Sequence, residues 1–210
     1  MDSFYTIKSP AQCEITERKS KFIGYAAPAA SEEEAKRFIS LVSAKHHDAA
    51  HNIYAFSVGT FDEIQRSNDD GEPSGTAGRP LLEAIRHVHL KNTVLVVTRY
   101  FGGILLGTGG LTRAYGRIAS ETLASCEIIM SVPAFLYQIS FAYNLYSIIE
   151  AFIALNKCEI KDKLYMDKVT ISCLVPYHIR EIFERGIMEI TAGEADIFLL
   201  SEDEYLSINK

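Results

Sequence analysis

The sequence predicts an α+β protein made of two domains. Three observations lead to this prediction. Alternating apolar runs typical of strands are interspersed with helix-like apolar patterns throughout residues 1–130. The pattern then starts again after residues 130–133. Finally, the chain has 210 residues, of which 48% are hydrophobic, so it is long enough to bury one large core or two smaller ones.

The elements before residue 130 follow from local signals. A basic turn joins two alternating runs into a predicted hairpin. Ser31 is a predicted helix N-cap with Glu34 as its capping-box partner, and Pro80 suits the first turn of a second helix. The predicted strands are 12–16, 22–27, 52–58 and 93–98, and the predicted helices are 31–45, 80–89 and 111–125.

The second half of the chain has a βαββαβ pattern. Its predicted strands are 135–142, 158–165, 168–175 and 187–200, and its predicted helices are 145–155 and 176–186. This order is the split pattern of a ferredoxin-like sandwich. We therefore expect an N-terminal domain over residues 1–130 and a C-terminal domain over residues 134–210.

The charge distribution excludes a uniformly basic nucleic-acid binder. The formal net charge is −6, with 14 Lys and Arg against 15 Asp and Glu in residues 1–130 and 7 against 12 in residues 131–210. Residues 84–120 nevertheless contain no acidic side chain, and they carry five cations: Arg86, Lys91, Arg99, Arg113 and Arg117. These cations either form one positive face or are scattered over several faces once the chain folds.

The cysteines and the apolar segments predict a cytoplasmic protein. The four cysteines form no CxxC pair and lie in apolar runs, so they are interpreted as buried free thiols: Cys13, Cys126, Cys158 and Cys173. No apolar run approaches the length of a membrane helix, and residues 1–5 lack the features of a secretion signal.

Two glycine-rich segments are the main functional candidates. Loop 1 (residues 69–80) is acidic, and loop 2 (residues 99–113) carries arginines. In loop 2, Gly109 and Gly110 precede a predicted helix, where free backbone N–H groups favour an anion that Arg99, Arg113 and Arg117 could also contact. Loop 2 does not match the GxGxxG or GK[ST] nucleotide motifs, and tight turns alone could explain its glycines.

Loop 1 contains three acids and two hydroxyls: Asp69, Asp70, Glu72, Ser74 and Thr76. The acids could hold Mg²⁺ or Ca²⁺, act as a general base, or cap the following helix and stabilise a turn. A second cluster, His46, His47, Asp48 and His51, matches no standard metal spacing. The sequence therefore identifies no catalytic residue, metal or cofactor.

Residues 69–78 and 97–107 resemble the signature of the IMPACT family, also called the YigZ family, and residues 19–23 and 50–55 resemble its N-terminal motifs. The resemblance implies an N-terminal domain like the second domain of ribosomal protein S5 and a C-terminal domain like the last domain of elongation factor G. Eukaryotic members regulate translation initiation under stress through an additional N-terminal domain, which this chain is expected to lack.

Three functional hypotheses follow. The leading one is a non-enzymatic, translation-linked regulator that binds RNA or the ribosome through the N-terminal domain. Its candidate nucleic-acid or anion-binding residues are Lys19, Lys21, Arg79, Arg99, Tyr100, Gly109, Gly110, Arg113 and Arg117. The second hypothesis is a nucleotide or small-molecule enzyme that uses both glycine-rich loops. The third is an adaptor that binds a protein partner through its acidic C-terminal domain.

Overall fold

The computed structural model describes residues 2–209. Within them it shows two five-stranded sheets and five α-helices, which confirms the predicted α+β class. The chain forms two compact units, one made mainly of Phe4–Met130 and the other mainly of Ser131–Ile208.

The N-terminal unit is built on the sheet β2-β3-β6-β4-β5, in which every pair is antiparallel. The strand β1 precedes this sheet in sequence, and Lys8, just after it, donates its backbone N–H to the Glu127 carbonyl at 2.9 Å. The elements are β1 (Phe4–Ile7), β2 (Ala11–Glu17), β3 (Ser20–Pro28), α1 (Glu32–Lys45), β4 (His51–Val58), β5 (Ile64–Asn68), α2 (Gly78–His87), β6 (Thr93–Tyr100) and α3 (Gly107–Ala124).

The central strand β6 is buried on both faces, as its apolar sequence predicts. Leu95 and Val97 pack in a core with residues of α2 and α3, whereas Val94 and Val96 pack in a second core with residues of α1. This alternation is the two-residue period of a strand. Two helices therefore cover one face of the sheet and one helix covers the other, which fixes the strand ends that carry both glycine-rich loops.

The C-terminal unit contains β7 (Ile128–Phe141), α4 (Tyr146–Leu155), β8 (Glu159–Tyr165), β9 (Val169–Pro176), α5 (Arg180–Ile190) and β10 (Asp196–Asn209). Its strands β10, β7, β9 and β8 are neighbours in that order, and β1 is the fifth strand of this sheet. The apolar core is formed by alternate residues of β7 and β9 together with Ile149 and Ile153 of α4 and Phe183 and Ile187 of α5.

Several predicted boundaries are wrong. The strands β1 and β5 were not expected, and β7 begins at Ile128 instead of residue 135. The last helix begins at Arg180 instead of residue 176, because Pro176 ends β9. Residues 187–190 are helical instead of extended, since Phe183 and Ile187 form one buried face at helical spacing.

The cysteines are free, but only Cys173 is fully buried; the other three are half-buried. Burial raises the pKa of the Cys126 thiol to about 11 and that of the Cys158 thiol to about 12. In residues 2–209 no helix is long and apolar enough to cross a lipid bilayer.

Candidate functional site

The two glycine-rich loops meet in space around a cleft of about 470 Å³. Glu72 and Pro73 of loop 1 line one side, and Phe101, Leu105 and Leu106 of loop 2 line another. We call this the interloop cleft; His51, Arg99 and the start of α3 also line it. Its walls are mostly apolar, whereas the sequence suggested an anion site with arginines at loop 2.

A buried ion pair lies at the interloop cleft. Arg99 Nη1 and Glu72 Oε1 are 2.5 Å apart, and these two side chains are only 6% and 4% exposed. Tyr115 in α3 donates its hydroxyl to the same carboxylate oxygen at 2.8 Å. Burial and the neighbouring negative charge of Glu72 raise the pKa of Tyr115, so the phenol keeps its proton and acts as a donor.

Arg99 is therefore not free to contact an external phosphate as the sequence suggested. Its guanidinium carbon lies 5.5 Å from the ring centres of both Phe22 and Phe101, and its Nη2 lies 3.5 Å from Ser20 Oγ. Its Nε, however, is buried without a hydrogen-bond partner among residues 2–209. Folded proteins leave few buried N–H donors unpaired, so this atom marks a site that can receive an acceptor.

The acids of loop 1 mainly hold the loop and start α2. Asp69 accepts backbone N–H groups from Gly75 at 2.8 Å, Ala77 at 3.0 Å and Gly78 at 2.8 Å. Burial alone would raise the pKa of Asp69, but these three donors outweigh it and hold that pKa below its ordinary value. This is the capping alternative considered for loop 1.

Asp70 connects loop 1 to β4. Its carboxylate accepts the Asn52 N–H at 2.6 Å, and its backbone carbonyl lies 2.6 Å from His51 Nδ1. A carbonyl only accepts hydrogen bonds, so Nδ1 carries the proton, and in the neutral ring Nε2 is an acceptor. The other two candidates of loop 1 are peripheral: Ser74 is exposed, and Thr76 donates to the Pro73 carbonyl at 2.6 Å.

A second concavity adjoins the first turn of α3. It has a volume of about 190 Å³ and is lined by Glu17, Arg18, Leu106, Gly110, Arg113, Ala114 and Arg117. We call it the arginine cavity. Arg117 pairs with Glu121 at 2.7 Å, whereas Arg18 and Arg113 are exposed and form no ion pair with any residue that the structure describes. Leu106, the N-cap residue of α3, provides no side-chain cap, so the first N–H groups of the helix are available to an anion.

The turn between β2 and β3 brings Arg18 to this cavity. Glu17 pairs with Ser20, which leaves Arg18 and Lys19 as a two-residue turn with φ of +44° and +66°. Such turns favour glycine or asparagine, so a basic pair there is held in a strained conformation. Gly102 fixes the turn against loop 2: a Cβ at Gly102 would lie 2.0 Å from the Lys19 carbonyl carbon.

The remaining predicted residues lie elsewhere. Lys19 is exposed in the turn, Lys21 pairs with Glu14 at 2.8 Å, and Arg79 pairs with Glu83 at 2.7 Å. Gly109 is exposed in the first turn of α3, and Gly110 lines the arginine cavity.

The acid-free stretch does not form one positive face. Arg86 binds the Gln65 amide and Lys91 pairs with Asp62, and both line a different pocket, while Arg99 is buried. Helix positions three or four apart share a face, as Arg113 and Arg117 do. The fold places cations of separate elements on different surfaces.

Tyr100 belongs to a polar network with the histidine cluster. Its hydroxyl donates to Asp48 and contacts His46 Nδ1, both at 2.9 Å, while His46 Nε2 lies 2.7 Å from the Tyr25 hydroxyl. Burial and the positive charge of Lys45 lower the pKa of His46. Across residues 2–209, no three His, Cys, Asp or Glu side chains converge as a metal site would require.

Sequence reasoning missed several residues of the two concavities, among them Arg18, His51 as a cleft residue, and Leu105. Arg18 was part of the recognised basic turn, and its position within a two-residue hairpin turn was the available signal. His51 lies directly opposite Arg99 in the pairing of β4 with β6. That register is long-range information, which no local pattern contains.

Known proteins are similar to this chain over nearly its whole length. The family model described as the Impact N-terminal domain matches residues 18–123. The IMPACT family member YvyE of Bacillus subtilis is 38% identical over 197 residues, which cover 94% of this chain and 91% of that protein. The IMPACT family member YigZ of Escherichia coli is 31% identical over 204 residues, covering 96% of this chain and 100% of that protein. A solved structure described as a crystal structure of an hypothetical protein is 30% identical, with a TM-score of 0.66 over 97% of this chain and 100% of that one.

Proposed function

Because the chain belongs to the IMPACT family, we propose that it is a translation-linked regulatory protein that binds RNA, including ribosomal RNA, through its N-terminal unit. The observation that carries the proposal is the arginine cavity. Three arginines line a concavity of about 190 Å³ beside the first turn of α3, which has no side-chain cap. Arginine side chains and helix N-termini are the groups that proteins use to hold phosphates.

The local charge supports a phosphate better than a neutral ligand. Glu17 is the acidic residue that lines the arginine cavity, and it faces Arg18, Arg113 and Arg117 there. Two of these arginines have no carboxylate partner among the described residues, so a phosphate would supply the missing counter-charge. Gly110 lets a ligand approach the helix backbone, because it has no side chain to fill the cavity.

We also propose the finer fold assignments. The β7-α4-β8-β9-α5-β10 succession with strand order β10-β7-β9-β8 supports a ferredoxin-like domain resembling the last domain of elongation factor G. The five-stranded antiparallel sheet with helices on both faces supports an N-terminal domain like the second domain of ribosomal protein S5. Both analogies favour an RNA ligand, although function has to be argued from the site itself.

The test is RNA binding as a function of salt. Single-stranded RNA and purified ribosomal subunits are titrated with the whole chain at several salt concentrations. Each phosphate contact contributes a slope of about −0.7 in log K against log salt for a single strand. The double variant Arg113→Ala/Arg117→Ala is therefore expected to weaken binding and to make the slope shallower by about 1.4.

The matched control is Arg185→Ala, which removes an exposed arginine from α5 in the C-terminal unit. It is expected to leave both affinity and slope unchanged. Binding that does not depend on salt, or an Arg113→Ala/Arg117→Ala variant that binds like the wild type, would contradict the proposal. Circular dichroism of each variant establishes that the fold is retained.

A second candidate function is protein docking by the C-terminal unit. The strand β8 is at the end of its sheet, and the apolar residues Leu164, Tyr165 and Met166 at its tip are 52%, 57% and 78% exposed. An edge strand with exposed apolar side chains can pair with a strand of another protein. Cross-linking from a photoreactive residue at position 166 tests this function, and recovery of no protein adduct from cell extract would argue against it.

A further inference from the structure

We infer that the interloop cleft holds one unstacked base of a single-stranded RNA whose phosphate lies in the arginine cavity. This inference rests on the proposed function and adds to it the part of the ligand that is recognised. It is argued from the continuity of the two concavities, from the walls of the cleft, and from the polar side chains that line it.

The two concavities adjoin at one side chain. Leu106 lines both the interloop cleft and the arginine cavity, on either side of the N-terminal turn of α3. A nucleotide joins its phosphate to its base through a single sugar, so its two ends need neighbouring sites of opposite character. One of these sites is cationic and open to a phosphate, and the other is apolar and open to a ring.

The walls of the cleft suit a flat ring. Phe101 is 51% exposed and Leu105 is 81% exposed, so loop 2 presents an aromatic face and an aliphatic side chain to solvent. Exposed aromatic rings beside cations are the platforms on which proteins stack unpaired bases. The Arg99 guanidinium, 5.5 Å from the Phe101 ring, is buried and ion-paired, so it holds the platform in place while the ring stays accessible.

The polar side chains that line the cleft match the edge of a base. Arg99 Nε is a buried donor that lacks an acceptor among residues 2–209. An unpaired buried donor costs free energy, which a ligand recovers when it supplies an acceptor. His51, whose Nδ1 hydrogen is engaged by the Asp70 carbonyl, offers Nε2 as an acceptor. His51 and Arg99 lie opposite each other in β4 and β6. Together they suit a base edge with a carbonyl next to an N–H, as in uracil and guanine.

The first test compares ligands of equal phosphate content. Fluorescence anisotropy is measured with a labelled oligouridylate, with a duplex of half that length, which carries the same number of phosphates, and with an oligouridylate methylated at N3, which removes the N–H. Binding is expected to be strongest for the unmethylated single strand. Uridine 5′-monophosphate is added as a competitor, because a free nucleotide carries the same phosphate and base.

The second test uses a pair of exposed phenylalanines. Phe101→Ala is expected to weaken binding of the oligouridylate about tenfold, with the salt slope unchanged, because it removes a stacking surface and no charge. Phe61, in the turn between β4 and β5, is an exposed phenylalanine as well, with 68% of its surface accessible. Phe61→Ala is therefore the matched control and is expected to have no effect on binding. His51→Ala is expected to abolish the discrimination against N3-methyluridine.

The outcomes separate this inference from the proposed function. If RNA binds with the expected salt slope but duplex, single strand and methylated strand bind alike, and Phe101→Ala has no effect, the base site is overturned and the phosphate site stands. If the mononucleotide competes as tightly as the oligouridylate binds, the cleft belongs to free nucleotides and its assignment to a strand is overturned. If no RNA binds at any salt concentration, both proposals fail.

Discussion

The buried pair between Arg99 and Glu72 gives the sharpest prediction about stability. Glu72→Ala leaves the Arg99 guanidinium, only 6% exposed, without a counter-charge, and it also removes the acceptor of the Tyr115 hydroxyl. Removing one partner of a buried ion pair costs about 3–5 kcal/mol, because the remaining charge stays desolvated. We therefore expect Glu72→Ala to lower the free energy of unfolding of the N-terminal unit by that amount.

The same unit contains a control pair with similar geometry. Arg79 and Glu83 are 2.7 Å apart, but their side chains are 76% and 55% exposed. An exposed pair one helical turn apart contributes about 0.3–0.5 kcal/mol, so Glu83→Ala is expected to cost no more than about 0.5 kcal/mol. Since the two pairs have nearly the same separation, the difference in unfolding free energy between the two variants measures the effect of burial.

The assay is native-state hydrogen exchange of the β6 amides, supported by urea unfolding followed by circular dichroism. Exchange from the central strand reports the unfolding of its own unit, which a single melting curve of a two-unit chain does not. The double variant Glu72→Leu/Arg99→Met removes both charges and is expected to recover most of the loss. A cost of less than about 1 kcal/mol for Glu72→Ala, or no recovery in the double variant, would refute the reasoning from burial.

Three further predictions concern the loops. Asp69→Asn is expected to cost about 1–2 kcal/mol at pH 7. Because the folded pKa of Asp69 is depressed, its contribution is present above the unfolded pKa and is lost as the pH falls through the folded value, so the variant and the wild type should converge in urea titrations once the pH is below the folded pKa. Gly102→Ala is expected to lower the melting temperature, because its Cβ would meet the Lys19 backbone, whereas Gly109→Ala, with no atom within 4 Å of its Cβ, should raise it. Arg18→Gly relieves a positive φ and is expected to leave stability unchanged or raise it by up to about 1 kcal/mol while weakening RNA binding; a loss of stability would contradict strain at this turn.

The sequence predicted most of the fold through local signals. The capping pair of Ser31 and Glu34 is observed at 3.1 Å, and the run at residues 93–98 became the central strand. The strand β5 was missed because its sequence, Ile64–Asn68, is mostly polar, with two half-buried residues followed by three exposed ones, so its pairing with β4 comes from backbone hydrogen bonds and not from an apolar pattern.

The candidate site was only partly predictable. The sequence identified both glycine-rich loops and the arginines that surround them. It placed Arg99 in the anion site because Arg99 begins loop 2, whose glycines precede a predicted helix and whose arginines could contact an anion there. In the structure that strand is central and covered on both faces, and Glu72 of the other loop neutralises the charge within the protein.

The sequence by itself determined the class of the fold, the family, and the two loops that carry the functional candidates. These depend on periodicity and on motifs, which are local properties of the chain. The tertiary structure alone decided which side chains meet. Strand register placed His51 opposite Arg99, the hairpin turn brought Arg18 to α3, and burial converted Arg99 from a ligand contact into an internal ion pair. Such pairings join residues far apart in sequence, so no local pattern specifies them.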